Sequence, residues 1–257
     1  MTHLTSFTGI QLELFLFTVI FVTHSISYQL TMALPPDALE LKGGCLCKAV
    51  RYIIKVPHAE KRGVARVMMS AKPTDTQGES EDNNGKPAYV NFDFPLLSLD
   101  HCSDCRHAAG TPAQAWIICP QEWIEWDVEL LSPSKDGVER VKQTTLEACS
   151  KDGRGLYEDK SNSSQVSTYQ AKYPSSEDVT RTFCSRCGTN LTYFAKRPAS
   201  DPNGVIVDVT IGSMDDESSA IAPPNRQAWC DSGVGWFKQL VREGGPERLW
   251  TRNANEG

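Results

Sequence analysis

Two pairs of closely spaced cysteines, separated by most of the chain, constrain this sequence more than any other feature. Cys45 and Cys47 follow a Gly-Gly step, and Cys184 and Cys187 form a Cys-x-x-Cys-Gly unit. In an extended strand, residues i and i+2 face the same side, so the first two sulfurs can reach one ion. The Cys-x-x-Cys turn aims both of its sulfurs inward, and Gly188 suits the left-handed position that closes such a turn. Together the pairs predict the Cys₄ tetrahedron of a structural zinc site.

The nine cysteines of the chain allow three explanations, which are disulfides, metal ligands and redox chemistry. Disulfide frameworks are typical of short secreted chains, and this chain has 257 residues and an odd number of thiols. A thioredoxin-like motif would need a βαβ context, which the sequence lacks. The spacing therefore favours metal binding. Cys119, Cys149 and Cys230 have no paired spacing, and we interpret them as packing or incidental thiols.

A third cluster lies in the segment Asp100-His101-Cys102-Ser103-Asp104-Cys105-Arg106. Cys102 and Cys105 form another Cys-x-x-Cys pair, and Asp100 can supply an oxygen. Three protein ligands with an open fourth position are typical of a catalytic zinc. A turn without metal and a disulfide remain open as alternatives. Arg106 could hold a substrate carboxylate or make a surface ion pair.

The pattern of apolar residues predicts a mainly β fold, because no helical period continues over a long stretch. Residues 42–56, 89–99, 113–119, 123–131 and 205–211 are predicted strands, and 180–195 is a predicted hairpin. We expect an N-terminal extension over 1–41 that is disordered or arises from a mis-assigned start. A zinc-bearing domain over 42–237 follows, with polar insertions at 57–88 and 132–178. A C-terminal tail covers 238–257.

The N-terminal run Leu14–Val22 is apolar but too short to cross a bilayer as a helix. A signal or anchor is the alternative to an artefact or extension, although the run lacks a preceding positive region. Thiolate zinc sites are usual in reducing compartments, which favours a cytoplasmic protein without a membrane partner. The net charge of −6 argues against a nucleic-acid partner. The oligomeric state stays open.

The order of these motifs resembles the GFA family, which contains the glutathione-dependent formaldehyde-activating enzyme and centromere protein V. The resemblance covers 42–56, 89–131 and 180–237. The segments that carry it are GGCLCKAVRY, HCSDCRHAAGTPAQAW, RTFCSRCGTNLTYF, VDVTIGSMDD and AWCDSGVGWF.

This resemblance implies a small β-rich tent of antiparallel sheets with zinc at its ends. It implies a structural zinc on the first and last cysteine pairs, which agrees with the prediction from spacing. The second zinc of the family is held by a Cys-x-Cys-x-x-Cys motif, of which Cys102 and Cys105 match the last two positions. The first position is Asp100 here, which is a departure from the family pattern.

The activity that the resemblance implies is carbon–sulfur lyase chemistry, in which a glutathione-like thiol adds reversibly to an aldehyde. Zinc would lower the pKa of the thiol, and the thiolate would attack the aldehyde carbon. The expected partners are therefore a small-molecule thiol and a carbonyl substrate, with Asp100, Cys102, Cys105 and Arg106 as catalytic residues.

Two other functions fit the same residues. One is a non-catalytic zinc scaffold that binds a protein or small ligand. The other keeps the fold and uses the open site as a Lewis acid on a larger organic substrate. Tryptophans that could line its pocket are Trp116, Trp123, Trp126, Trp229 and Trp236.

Overall fold

The structure is a computed structural model, and it describes residues 34–69, 88–131, 137–149, 156–158, 165–197 and 200–243. Every element below belongs to the unit that begins at Pro35. The predicted extension up to residue 33, including Leu14–Val22, lies outside the described residues. So do residues 70–87, 132–136, 150–155 and 159–164 of the two polar stretches, and residues 244–257 of the C-terminal tail.

Fifteen strands are described within these residues. They are β1 (Leu39–Gly44), β2 (Val50–Val56), β3 (Val64–Met69), β4 (Ala88–Asp93), β5 (Leu96–Asp100), β6 (Gln114–Pro120), β7 (Ile124–Glu129), β8 (Arg140–Gln143), β9 (Leu156–Glu158), β10 (Gln165–Ser167), β11 (Gln170–Pro174), β12 (Val179–Cys184), β13 (Asn190–Ala195), β14 (Ile206–Thr210) and β15 (Arg226–Ala228). The α-helices are short: α1 (Ser103–Ala109), α2 (Thr145–Cys149), α3 (Asp216–Ala220) and α4 (Gly235–Glu243). None of the described helices is long and apolar enough to cross a membrane.

The strands form two main sheets, which confirms the predicted mainly β class with antiparallel sheets. The larger has the order β11-β12-β13-β14-β6-β5-β15, and the smaller has the order β1-β2-β7-β8. All neighbours in these sheets are antiparallel except β15, which runs parallel to β5. Two further ribbons pair β3 with β4 and β9 with β10.

The centre of one face of the seven-stranded sheet is apolar and buried. Leu97, Ile117, Val207 and Val209 are each at most 1% exposed and alternate with the residues of the other face. In the smaller sheet, Tyr52, Ile54, Trp126 and Val128 are buried in the same way. Helix α2 contacts both β7 and β12, so it bridges the two sheets. Each fully buried aliphatic side chain here stabilises the fold by about 1.5–3 kcal/mol.

Polar contacts join the start of the chain to the segment after β14. Tyr52 Oη and Ser213 Oγ lie 2.8 Å apart in the interior, and Arg51 forms a two-armed ion pair with Asp215. The Asp215 amide also donates to the carbonyl of Lys42 at 2.9 Å. These contacts place the turn after β1 next to the larger sheet.

The opposite face of the larger sheet carries polar and aromatic side chains. Residues that pair across strands lie on the same face, so the register places Asp100 with Gln114, Trp116 with Thr210, and Asp208 with both Ile118 and Tyr193. Tyr193 in turn pairs with Arg181 on β12. We call this surface, defined by Asp100, Trp116, Arg181, Tyr193 and Asp208, the site face.

Several predicted element boundaries were wrong. The predicted strand 42–56 is two strands, because residues 45–49 turn around the cysteine pair. β1 begins at Leu39, so the last three residues assigned to the extension belong to the sheet. The predicted strand 89–99 is β4 and β5, separated at Phe94 and Pro95, where proline lacks the N–H that a ladder needs.

The two polar stretches also contain regular structure that their composition did not predict. The stretch 57–88 includes β3, which pairs with β4. The stretch 132–178 includes β8, α2 and β11, and β11 is the edge of the larger sheet. That these stretches are insertions, and that the domain covers 42–237, stay predictions.

Candidate metal and substrate site

The first cysteine pair lies in the turn that joins β1 to β2. The Cys45 amide donates to the Val50 carbonyl at 2.9 Å, and the Val50 amide donates to Cys45 Sγ at 3.2 Å. Gly44 makes the tight turn possible, since a Cβ there would lie 2.2 Å from the Val50 oxygen. The turn therefore holds the Cys45 sulfur in a fixed position with a backbone N–H directed at it.

The second pair closes the β12–β13 hairpin. Cys184 ends β12, and the Gly188 amide donates to the Cys184 carbonyl at 2.8 Å. Gly188 has φ +76°, the left-handed conformation that its spacing predicted. The hairpin therefore presents the Cys184 and Cys187 sulfurs on one side.

All four sulfurs converge, as the spacing predicted. The Sγ atoms of Cys45, Cys47, Cys184 and Cys187 lie within 4.8 Å of one another. Cys47 Sγ is 3.5 Å from Cys45 Sγ and 3.6 Å from Cys184 Sγ. Thr189 joins the two turns, because its hydroxyl accepts from the Leu46 amide at 3.1 Å and contacts Cys187 Sγ at 3.3 Å. These four sulfurs could hold a metal ion.

The thiols of this cluster differ in acidity. Burial raises the pKa of Cys184, although N–H groups of Cys187 and Arg186 oppose the shift. Burial also disfavours the Cys187 thiolate, but hydrogen bonds from Thr189 and from the Cys47 backbone outweigh it and lower the pKa of Cys187 to about 6. Backbone N–H donors directed at sulfur are the surroundings that a bound thiolate needs. The donor set therefore fits a soft divalent cation.

The middle cluster forms where β5 runs into α1. Asp100 ends β5, Cys102 precedes the helix, and Cys105 lies in its first turn. One carboxylate oxygen of Asp100 and the two sulfurs lie within 4.8 Å of one another. The Asp100 carboxylate also accepts from the Cys102 amide at 2.7 Å, which fixes its direction. The one oxygen and two sulfur atoms could hold a second metal ion that accepts both kinds of ligand.

Burial dominates the acidity of this second cluster. It raises the pKa of Asp100, while the Cys102 amide, the Cys105 thiol and the Trp116 indole oppose the shift. It also raises the pKa of Cys105 to about 12, while Arg181 opposes the shift and the Asp100 charge adds to it. A cation at this position would favour the charged form of both groups.

Arg106 donates to the backbone on two sides of the cluster. Its Nε donates to the His101 carbonyl and its Nη2 to the Ser232 carbonyl, both at 3.3 Å. These bonds connect α1 to the segment after β15. A substrate role for Arg106 stays a prediction. Asp100, Cys102 and Cys105 converge in the structure, and their catalytic role also stays a prediction.

Arg181 is the residue nearest the cluster that sequence reasoning missed. It is 6% exposed, its Nη2 donates to Cys105 Sγ at 3.6 Å, and its guanidinium lies 4.9 Å above the Tyr193 ring. The available signal was its position three residues before Cys184, where a charged residue interrupts the threonines of a buried strand.

Asp208 on β14 is the cross-strand partner of Tyr193 and lies on the site face. Burial raises its pKa to about 7, Arg197 and Arg181 oppose this shift, and Asp100 adds to it. The Asp208 carboxyl group therefore changes charge near neutral pH, and the charge of Asp100 in the middle cluster affects this change.

Two buried donors of the site face have no hydrogen-bond partner among the described residues. They are Arg181 Nη1 and Trp116 Nε1. The Trp116 indole lies close enough to Asp100 to lower the pKa of that carboxyl, but forms no hydrogen bond of normal geometry with it. A buried donor without a partner lowers the stability of the fold by about 1–3 kcal/mol. Two such donors beside one cluster therefore need an explanation.

The remaining cysteines and tryptophans are dispersed. Cys119 and Cys149 are fully buried on the apolar side, whereas Cys230 is exposed. The predicted tryptophan-lined pocket does not form as a set. Trp116 and Trp126 are buried in different sheets, and Trp229 and Trp236 are more than 60% exposed.

A comparison with protein families finds one matching model, described as Glutathione-dependent formaldehyde-activating enzyme. Residues 158–232 match this GFA model. The predicted resemblance to the GFA family is thus confirmed over this segment. The GFA match contains Cys184 and Cys187 together with Arg181, Tyr193 and Asp208. It stops short of Cys45 and of the Asp100 cluster, which the fold brings to the matched part. A search of curated proteins finds no match to the chain.

Proposed function

We propose that this protein is a zinc-dependent enzyme of the carbon–sulfur lyase type, which adds a small glutathione-like thiol to an aldehyde or catalyses the reverse reaction. The observation that carries the proposal is the convergence of Asp100, Cys102 and Cys105 beside the buried Arg181. The GFA match supports glutathione and formaldehyde as the general class of substrates.

The proposed metal sites follow from the two clusters. Cys45, Cys47, Cys184 and Cys187 would hold a structural zinc, since four thiolates complete its tetrahedron. Asp100, Cys102 and Cys105 would hold a second zinc, and three ligands leave a fourth position for substrate. When bound there, zinc would supply the Lewis acidity that lowers the pKa of a thiol.

The protein's own residues orient and shield the reaction. Arg181 holds a positive charge against the Cys105 sulfur, and Arg106 ties α1 to the Ser232 segment. Asp208 can hold or release a proton on the same face near neutral pH. Reduced thiols are needed for both clusters, and for this reason we also propose a cytoplasmic location.

The test combines metal quantitation with an assay of thiol–aldehyde adduct formation. The wild-type protein is expected to contain two zinc ions per chain and to form the adduct faster than the spontaneous reaction. Cys102→Ser should lose one zinc and the excess rate. Cys230→Ser is the matched control, because Cys230 is exposed and lies in neither cluster. Only one zinc per chain in the wild-type protein, together with full activity in Cys102→Ser, would refute the proposed site.

A non-catalytic zinc scaffold is the second candidate, and one observation favours it. Asp100 replaces a thiolate with a harder donor, and its carboxylate already accepts from the Cys102 amide at 2.7 Å. A single zinc per chain and no excess rate in the wild-type protein would support this candidate. The Lewis-acid alternative on a larger substrate is less favoured, since its tryptophans do not gather around one site.

A further inference from the structure

Two N–H donors of the site face lie beside the Asp100–Cys105 cluster. Trp116 approaches from β6 and Arg181 from β12. Their side chains are 1% and 6% exposed, and Trp116 Nε1 and Arg181 Nη1 have no partner in the part of the chain that the structure describes. Buried polar groups in folded proteins are nearly always paired, so a pair of free donors beside a candidate site indicates a ligand that they bind.

The position of Trp116 is fixed by the sheet. It pairs with Ser98 on β5, two residues from Asp100, so that its indole lies on the same face as the carboxylate. Its ring is 6.5 Å from the Tyr193 ring, in a tilted arrangement. The indole is a donor only, and it offers one N–H.

Arg181 is held by two contacts of its own. Nη2 donates to Cys105 Sγ at 3.6 Å, and the guanidinium lies 4.9 Å above Tyr193. A guanidinium is planar and rigid, so these contacts also fix Nη1, the second arm of the fork. Tyr193 contacts both Arg181 and Trp116 and therefore holds the two donors in one arrangement.

We propose that Trp116 Nε1 and Arg181 Nη1 bind the oxygen of the carbonyl substrate and stabilise the negative charge that this oxygen gains when the thiol adds. This inference rests on the proposed function and assigns an oxyanion-binding role to two residues outside the predicted site. Fixed donors directed at developing charge are an effective means of lowering a reaction barrier.

The reaction step balances without an oxidant or reductant. The thiolate sulfur attacks the carbonyl carbon, a carbon–sulfur bond forms, and the π electron pair of the carbonyl moves to the oxygen. The oxygen then takes up one proton, equal to the proton lost by the thiol. The reverse reaction breaks the same carbon–sulfur bond and returns the proton to the sulfur.

The burial of both donors also predicts substrate size. An aldehyde oxygen must reach two N–H groups whose side chains are only 1% and 6% exposed. Formaldehyde has only hydrogen on its carbonyl carbon and meets this requirement best. A branched aldehyde such as isobutyraldehyde should therefore react much more slowly on the protein.

Conservative substitutions test the donors individually. Trp116→Phe removes the N–H and keeps an aromatic ring, and Arg181→Lys keeps the charge and removes the fork. Each should lower kcat for adduct formation by about 100-fold to 1,000-fold after subtraction of the spontaneous rate, with the KM for the thiol unchanged within about twofold. Trp236→Phe is the control, because Trp236 is 62% exposed and outside the site. Zinc content and a thermal melt of each variant show whether fold and loading are retained.

A binding measurement tests the donors without turnover. Sodium formate serves as a small oxyanion probe on the zinc-loaded protein labelled with ¹⁵N, and the indole N–H signals are followed by NMR. Formate should shift the Trp116 signal in a saturable way, whereas sodium chloride at equal ionic strength should not. Arg181→Lys should weaken formate binding at least about 10-fold.

The outcomes separate this inference from the proposed function. A formate response without any excess adduct formation would refute the proposed function and leave an anion site at these donors. Excess adduct formation with no formate shift, and with unchanged kcat in both variants, would overturn the oxyanion role alone.

Discussion

Cys47 Sγ lies 3.6 Å from Cys184 Sγ, although 137 positions separate the two residues in the chain. Their approach depends on two turns from different sheets, joined through Thr189. A metal held between these turns would link the small sheet to the large one.

The first prediction concerns the four-sulfur cluster. Cys184→Ser should lose one zinc and lower the Tm by about 10 °C, which corresponds to about 3–4 kcal/mol in a chain of this size. The reason is that metal binding to a site present only in the folded state stabilises that state. Zinc analysis and calorimetry measure both effects. Cys230→Ser should leave the Tm unchanged, and an equal loss in that control would contradict the prediction.

The second prediction concerns the donor at Asp100. Asp100→Ala should reduce zinc by one ion per chain, because two sulfurs alone bind weakly. Asp100→Cys should raise the affinity for zinc at this cluster, because a thiolate is a softer donor than a carboxylate. Competition with a chromophoric chelator gives the two affinities. Equal zinc content in the wild-type protein and Asp100→Ala would show that the carboxylate is no ligand.

The third prediction concerns the turn after β1. Gly44→Ala should destabilise the fold by at least about 1–3 kcal/mol, because the new Cβ would lie 2.2 Å from the Val50 oxygen. Urea unfolding measures the change in free energy. Gly235→Ala is the matched control: no atom lies within 4 Å of a Cβ there, and alanine suits the first position of α4. A similar loss in both variants would argue against the close approach.

The fourth prediction concerns pH. The folded-state pKa of Asp208 is about 7, above the value of about 3.9 in an unfolded chain. The native state therefore binds more protons between pH 4 and 7, and the Asp208 contribution to stability falls as pH rises through this window. Asp208→Asn removes that fall.

The test is the difference in Tm between Asp208→Asn and the wild-type protein across this range. The variant should be clearly more stable at pH 8, and the difference should shrink toward pH 4. The charges that act on Asp208 are Arg197, Asp100 and Arg181, so none of these should be altered in the comparison. A difference that does not change with pH would contradict the raised pKa.

The two cysteine clusters that could hold metal ions were the most predictable part of the molecule. Two-residue and three-residue spacings determine where sulfurs point within a single turn, so local sequence was sufficient to predict each pair, Cys45 with Cys47 and Cys184 with Cys187. The mainly β class followed from the alternation of apolar residues. The match of 158–232 to the GFA model confirms the family resemblance for that part.

The site face was not predictable, because its residues meet only through strand register. Arg181 and Tyr193 come together across β12 and β13, and Asp208 and Trp116 join them through β14 and β6. No local spacing connects these four positions. The boundaries of β1 and β4 were missed because the turn at residues 45–49 and Pro95 each divide a stretch that was predicted as one strand.

Strand β15 covers an edge of β5 that would otherwise be open. β5 carries Asp100 and lies between β6 and β15, and the three residues Arg226–Ala228 pair with Ser98, Leu99 and Asp100. A chain that ends before β15 would leave β5 as an open edge with unpaired backbone groups along its apolar length. Such edges recruit strands from other molecules. Truncation upstream of Arg226 should therefore yield self-associating protein rather than a smaller soluble domain.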